Sequence, residues 1–162
     1  MHSQSLSLTR YYLHFAGIHI VVSLAFIGAI ALYEWWSGTE MPANAGVSLA
    51  VLIGSAYYVA HKFVALEGRA PRGGEVLRLA GASTAISVGW ALLLLAGIVA
   101  VVFEGDLLYG LLLLQAEVPA AAWLFIGIVG LIGLMISFGL LCLIYGPAAR
   151  KQAARREIRA SA

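Results

Sequence analysis

The chain has 162 residues, of which 62% are hydrophobic and only 11% are charged, and its formal net charge is +2. Soluble domains carry about a quarter charged residues, so this composition excludes an ordinary soluble domain. A lipid bilayer is the solvent that suits so much apolar surface. Four spans of roughly 20 residues each nearly use up the chain, which leaves no room for a separate soluble domain of about 50 residues.

Four apolar runs follow one another along the chain, at residues 11–33, 43–63, 79–103 and 120–145, before a basic tail at residues 146–162. The first run is longer than the roughly 7–15 apolar residues of a secretory signal, so we interpret it as a helix that is retained. The sequence therefore predicts an all-α, polytopic membrane protein, a single domain built as a bundle of four transmembrane helices.

The ten basic residues all lie in segments on one side of the predicted membrane. They are Arg10, Lys62, Arg69, Arg72, Arg78, Arg150, Lys151, Arg155, Arg156 and Arg159. The two other connections, residues 34–42 and 104–119, contain acidic residues and no basic ones. Because Lys and Arg are enriched on the cytoplasmic side, we expect both termini and the middle loop to be cytoplasmic.

Small residues recur every four positions on three of the predicted spans. The stripes are Gly46, Ala50 and Gly54, then Gly81, Ala85 and Gly89, and finally Gly133 and Ser137. Such stripes let helix backbones approach closely in lipid. We favour the interpretation that they pack this bundle together. The alternative is a surface for another membrane helix or for a second copy of the chain.

Reactive groups are scarce within the predicted spans. No Asp, Glu, Lys or Arg lies in the middle of any span, which argues against ion-coupled transporters, proton pumps and voltage sensors. No GxSxG nucleophile motif occurs, and the serines of the third span have no acid at their depth. The sequence therefore predicts a protein that is not an enzyme and that needs no cofactor or metal.

Two histidines, His14 and His61, form the one candidate cofactor site. They lie at similar depth near the cytoplasmic ends of the first and second spans, which is the minimal requirement for bis-histidine ligation of haem b. The more common explanation is that both are solvated in the headgroup zone. His19 lies deeper, and we expect it to form a hydrogen bond across the bundle to Trp90, Ser83 or Ser87.

The outer connection between the third and fourth spans is rich in leucine. It contains the interface candidates Leu107, Leu108, Leu111 and Leu112 between acidic residues. The segment is too short to span a bilayer, so it lies flat in the interface or dips into it. A lipid-facing helix and a docking face for a membrane partner are equally good interpretations.

The middle loop and the tail are interpreted as connecting and anchoring segments. Gly68 is well placed to end the second helix in a left-handed turn, and Pro71 prevents its continuation. The basic tail from Arg150 to Arg159 predicts a short helix that is attracted to anionic membrane lipids. We expect no nucleic-acid binding from so short a tethered segment.

The middle loop also carries a resemblance to a known family. The stretch from Lys62 to Pro71, followed by Glu75 and Leu79, resembles small bacterial inner-membrane proteins that have four spans and a loop of the form FV-x-x-x-GR-x-P-x-x-x-E. The resemblance implies the same layout and a multi-pass location in the bacterial inner membrane. The family has no established activity, so it implies no mechanism.

Together these features predict a non-enzymatic inner-membrane protein that acts by binding another membrane component, either a membrane-protein partner or a second copy. One specific version is an immunity protein against a pore-forming toxin. The alternative is a small haem-binding redox subunit that uses His14 and His61. A third hypothesis is a protein that handles a lipid or another small molecule, which would require a cavity within the bundle.

Overall fold

The computed structural model describes residues 7–40 and 45–161, and throughout these ranges the protein is an all-α bundle of four long apolar helices, as predicted. Their length and composition make this a multi-pass membrane protein. The helices are α1 (Thr9–Ser37), α2 (Ala45–Glu67), α3 (Gly73–Val102), the short α4 (Leu107–Glu117), α5 (Ala120–Leu143) and α6 (Ala149–Ser161). The expected start of the second span at residue 43 and the side chains of Leu107, Leu111 and Arg159 lie outside the described part.

The bundle has two chemically distinct ends. We call the end with the start of α1, the α2–α3 loop and α6 the basic end, and the end with the other two connections the acidic end. At the basic end, Gly68 adopts φ +66° and its N–H donates to the Val64 carbonyl (3.1 Å), so the predicted glycine stop of the second helix is confirmed.

The third helix begins at Gly73, six residues before the predicted span. The reason is a side-chain cap, because a carboxylate oxygen of Glu75 accepts the otherwise unpaired N–H of Arg72 at 2.7 Å. Apolar periodicity alone does not detect such a polar first turn. Both Glu75 and Arg78 are therefore helical residues rather than loop residues.

The fourth long helix continues into the basic tail. A π-helical turn, Ile144–Ala148, joins α5 to α6, and it contains Pro147. Proline lacks an N–H and crowds the preceding turn, so a widened turn at this point relieves the helix without breaking it. The Ala149 N–H consequently donates to the Ile144 carbonyl, five residues back. The predicted tail helix thus extends the last span.

Close packing is concentrated at the basic end. Tyr11 and Phe15 of α1, Phe63 of α2 and Tyr145 after α5 are all buried there, and the rings of Tyr11 and Phe63 lie 4.8 Å apart. Alanines with no exposed surface let the helices approach around these rings: Ala56, Ala60, Ala80 and Ala149. Large rings against small methyl groups give the interlocking contacts that hold helices together in lipid.

The interpretation that the glycine stripes pack this bundle is wrong for Gly54, Gly81, Gly89 and Gly133. A Cβ atom built on Gly54, Gly81, Gly89 or Gly133 would have no atom within 4 Å among the described residues. Ala85 is also exposed. Close approach occurs instead at the buried alanines of the basic end, of which Ala56 and Ala60 are also four residues apart. The hypothesis that the stripes bind a partner stays a prediction.

Three residues of the middle-loop motif and Arg10 of α1 form a polar clasp, which we define as Arg10, Glu67, Arg69 and Glu75. The Arg69 guanidinium donates to both carboxylate oxygens of Glu75, at 2.8 and 2.7 Å, and this pairing raises the pKa of Arg69. Arg10 pairs with Glu67, which also accepts the Tyr11 hydroxyl at 2.6 Å. The clasp therefore ties the start of α1 and the α2–α3 loop to the packed core.

Glu75→Gln is expected to lower the free energy of unfolding by about 1 kcal/mol, because the amide cannot accept both donors of the partly exposed Arg69. Chemical denaturation in mild detergent measures the change. Glu117→Gln, the same substitution at an exposed site of α4, is the matched control and should leave stability unchanged. Equal stability of both variants would contradict a structural role for the clasp.

The charge distribution predicts that the basic end faces the cytoplasm. In a Cys142→Ser background, a cysteine at Thr39 should react with a membrane-impermeant maleimide on spheroplasts, whereas a cysteine at exposed Ala154 should react only after permeabilisation. The reverse labelling pattern would show that the protein is inserted the other way round.

Candidate functional site: a cavity between the outer halves of the helices

An apolar cavity of about 950 Å³ lies between α1, α2, α3 and α5, in the half of the bundle nearer the acidic end. Small-molecule sites in proteins typically enclose roughly 300–1,000 Å³. Several of its wall residues remain partly exposed, among them Phe26 and Leu134, so the cavity communicates with the surroundings. It is the third hypothesis, a small-molecule site, that requires such a space.

The cavity forms because the helices diverge along faces that pack together at the basic end. On α1 one stripe runs from buried Tyr11, Phe15 and His19 to Ser23 and Ile30, which line the cavity. The stripe follows helical spacing, so the same face is packed below and open above. On the other helices, too, a face that is packed at the basic end lines the cavity further along. The lining residues are Val51 and Leu52 on α2, Ser87 and Leu94 on α3, and Gly133 and Leu134 on α5.

His19 lies where the packed half meets the cavity. Its side chain is only 6% exposed, and its ring stacks on that of Phe15 with centroids 5.2 Å apart. In the packed half, the hydroxyls of Ser83 and Tyr145 form a buried hydrogen bond of 2.9 Å between α3 and the turn after α5. From His19 to Ile30 the cavity wall rises about 16 Å along α1, at 1.5 Å per residue.

Two residues that line the cavity each contain a buried nitrogen with no hydrogen-bond partner among the described residues, namely His19 Nδ1 and Trp90 Nε1. The expected bond between His19 and Trp90 is therefore wrong. Ser83 and Ser87 do not satisfy His19 Nδ1 either, because Ser83 pairs with Tyr145 and Ser87 donates to the Ser83 carbonyl at 2.9 Å.

The hydroxyl groups of the cavity satisfy their own helices first. Ser23 donates to the His19 carbonyl at 2.6 Å, and Thr84 donates to the Ala80 carbonyl at 2.9 Å. Each oxygen keeps lone pairs that can accept a further bond. None of the described residues that line the cavity is Asp, Glu, Lys or Arg. The arrangement thus favours an uncharged molecule and offers it a few hydrogen-bonding groups.

The two candidate haem ligands lie on outward-facing surfaces. His14 is exposed, and its Nδ1 bonds to the Arg10 carbonyl at 2.6 Å, while His61 is exposed on α2 beside Tyr57 and Lys62. The described structure therefore does not bring them together in the interior of the bundle, where facing helices usually hold a cofactor. Ligation of haem b by this pair stays a prediction.

The leucine-rich segment forms α4, which folds back against the end of α3. A Cβ on Gly110 would lie 2.5 Å from Phe103 Cδ2, so this close approach requires glycine. Asp106 caps the helix by accepting the Tyr109 N–H at 2.8 Å. Leu108 is 70% exposed, and Leu112 is also exposed. This surface is available to lipid or to a partner, and the cavity is separate from it.

Sequence reasoning identified some of the cavity residues and missed others. His19, Trp90, Ser87, Gly133 and Ser137 were singled out by the sequence, but for contacts across the bundle rather than for a shared cavity. Ser23, Ser48 and Thr84 were not singled out. The available signal was the position of Ser23 four residues after His19, because polar groups on the apolar stripe of a span indicate an interior site.

Comparison of the chain with models of known protein families, with curated proteins and with solved structures finds no match.

Gly133→Leu is expected to leave stability nearly unchanged, because its side chain enters the cavity. Ala80→Leu places the same side chain in the packed half, where overpacking should cost about 1–3 kcal/mol. Thermal unfolding in detergent compares the two variants. If both were equally destabilised, the outer half would be packed as tightly as the basic end.

Proposed function

We propose that this chain is a non-enzymatic protein of the bacterial inner membrane that acts by binding another membrane component in the cavity between α1, α2, α3 and α5. The observation that carries the proposal is the cavity itself, with its volume of about 950 Å³ and its apolar walls. A space of this size within a bilayer is filled by lipid or by a specific molecule, because its open sides face the hydrocarbon core.

The contrast between the two halves of the bundle supports a binding role. At the basic end, rings, alanines and the clasp hold the helices in fixed positions. The outer halves of the four helices do not pack against one another across the cavity. A preformed, largely apolar cavity with a few polar groups is the usual form of a small-molecule site. In the proposed orientation, which follows from the distribution of Lys and Arg, the cavity lies in the half of the bundle nearer the outer leaflet.

The chemistry of the wall supports binding rather than catalysis. His19 is the one titratable side chain among the described lining residues, and no acid or second histidine lines the cavity beside it. General acid–base catalysis requires such a group within hydrogen-bond reach of a substrate and a partner that tunes it. The proposal therefore assigns the wall a recognition role.

The test compares what co-purifies with the protein and with two glycine variants. Gly133→Leu fills the cavity, whereas Gly139→Leu adds the same side chain at an exposed position that does not line it. Each protein is purified from a bacterial membrane in mild detergent, and bound lipophilic molecules and proteins are identified by mass spectrometry. We expect a reproducible small component with the unsubstituted chain and with Gly139→Leu, reduced at least severalfold with Gly133→Leu.

Two results would contradict the proposal. Identical lipophilic components at equal occupancy in all three samples would show that the cavity selects nothing. A stoichiometric protein partner retained by both variants, without a small component, would move the function to another surface such as α4. The immunity-protein version predicts such a partner, and protection against a pore-forming toxin would be its own readout.

A further inference from the structure

We propose that the cavity selects an uncharged, lipid-soluble molecule whose head carries a carbonyl group, and that Trp90 and His19 bind this head while the apolar walls bind the rest. This inference rests on the proposed function and names the chemical class of its ligand. The observation behind it is that both residues line one cavity and that each contains a buried nitrogen without a hydrogen-bond partner among the described residues. His19 is also more than nine-tenths buried.

Trp90 determines that the head must accept a hydrogen bond. The indole Nε1–H is a donor only, so no ligand donor can satisfy it. Its atom is shielded from the surroundings and has no protein acceptor in the described part of the chain. In a hydrocarbon environment an unpaired buried donor costs considerably more than one in contact with water. A ligand oxygen that reached this nitrogen, once the side chains covering it had moved aside, would remove that cost.

His19 adds a second hydrogen-bonding group. A neutral imidazole has one N–H donor and one acceptor nitrogen, and the choice of tautomer decides which one is Nδ1. The stacked ring of Phe15 constrains the plane of the imidazole. As a donor it would bind a carbonyl oxygen, and as an acceptor it would bind a hydroxyl on the same head.

The absence of charge among the described lining residues limits the head further. A phosphate or carboxylate at this depth would need a paired cation, because burying an isolated ion in a medium of low polarity is very costly. Arg and Lys occur at the basic end and not in the cavity wall. The head is therefore uncharged, and a phospholipid could enter only with its acyl chains.

The remaining wall fits an extended apolar body. Above His19 the α1 stripe presents Phe26, Ile27 and Ile30, while Leu94 of α3 and Leu134 of α5 complete the wall. This wall extends about 16 Å along α1. Two sources share the required chemistry, a quinone with an apolar tail and a diacylglycerol with ester carbonyls, and the experiment separates them.

The experiment measures dissociation constants of four probes for the full-length protein in mild detergent. A decyl-substituted benzoquinone and dioleoylglycerol carry carbonyls, dodecylbenzene lacks one, and dioleoyl phosphatidylglycerol adds a charge. Trp90→Phe removes the N–H and retains an aromatic ring, and Trp123→Phe, outside the cavity, is its matched control. His19→Phe similarly keeps a ring that can stack on Phe15.

We expect at least one carbonyl probe to bind the unsubstituted chain, and Trp90→Phe to weaken its binding roughly tenfold, the loss of one hydrogen bond in an apolar site. Binding of dodecylbenzene should change much less, because it reports only the altered ring volume. His19→Phe should act in the same direction, and Trp123→Phe should have no effect. The carbonyl probe that binds more tightly identifies the source.

Two outcomes overturn the inference and are distinguishable. One outcome is that Trp90→Phe and His19→Phe change the dissociation constants of the carbonyl probes no more than that of dodecylbenzene, while Gly133→Leu weakens the binding of all of them. The cavity would then bind apolar chains without recognising a polar head. The proposed function then stands and the ligand class falls. If Gly133→Leu also leaves every dissociation constant unchanged, the cavity is not the binding site and both proposals fail.

Discussion

The interlocking of aromatic rings with alanine methyl groups at the basic end is the contact on which the rest of the structure depends. Tyr11, Phe63 and Tyr145 fill the space between the helices, and Ala56 and Ala80 let the backbones come close around them. In a bilayer no hydrophobic force drives helices together, because lipid tails are as apolar as leucine. Helices therefore meet only where shapes fit, and in this chain they fit over one half of their length.

Polar contacts strengthen the half that is already packed. The Arg69–Glu75 pair and the Glu67 carboxylate lie in and beside the α2–α3 loop, and Arg69 also lies over the Phe63 ring, with Cζ 5.5 Å from its centroid. The loop thereby connects the start of α3 to the core formed by α1 and α2. Because the contacts that fix the helices, including the clasp, are concentrated at the basic end, the opposite ends are free to diverge. The cavity lies between these diverging ends.

The sequence predicts the spans well and the packing poorly, for different physical reasons. Span prediction requires only that about 20 apolar residues cross the hydrocarbon core, and this property is local. Whether Gly81 or Ala80 contacts a neighbouring helix depends on the rotation and tilt of both helices, which hydropathy does not report. The glycine stripes met the general rule for helix contacts, yet the close contacts formed at Ala56 and Ala80.

The same limit explains why the predicted hydrogen bond from His19 to Trp90 is wrong. Sequence depth places His19 near Trp90, and a hydrogen bond between them would be favourable if the helices met at that level. The helices instead diverge just above Phe15, and both nitrogens stay buried without a protein partner beside the cavity that these two residues line. Unpaired polar groups inside hydrocarbon are costly. The bundle is held together at the basic end, so it does not require His19 and Trp90 in the cavity wall for its stability. Their position in the wall of an apolar cavity is what makes them informative about a ligand.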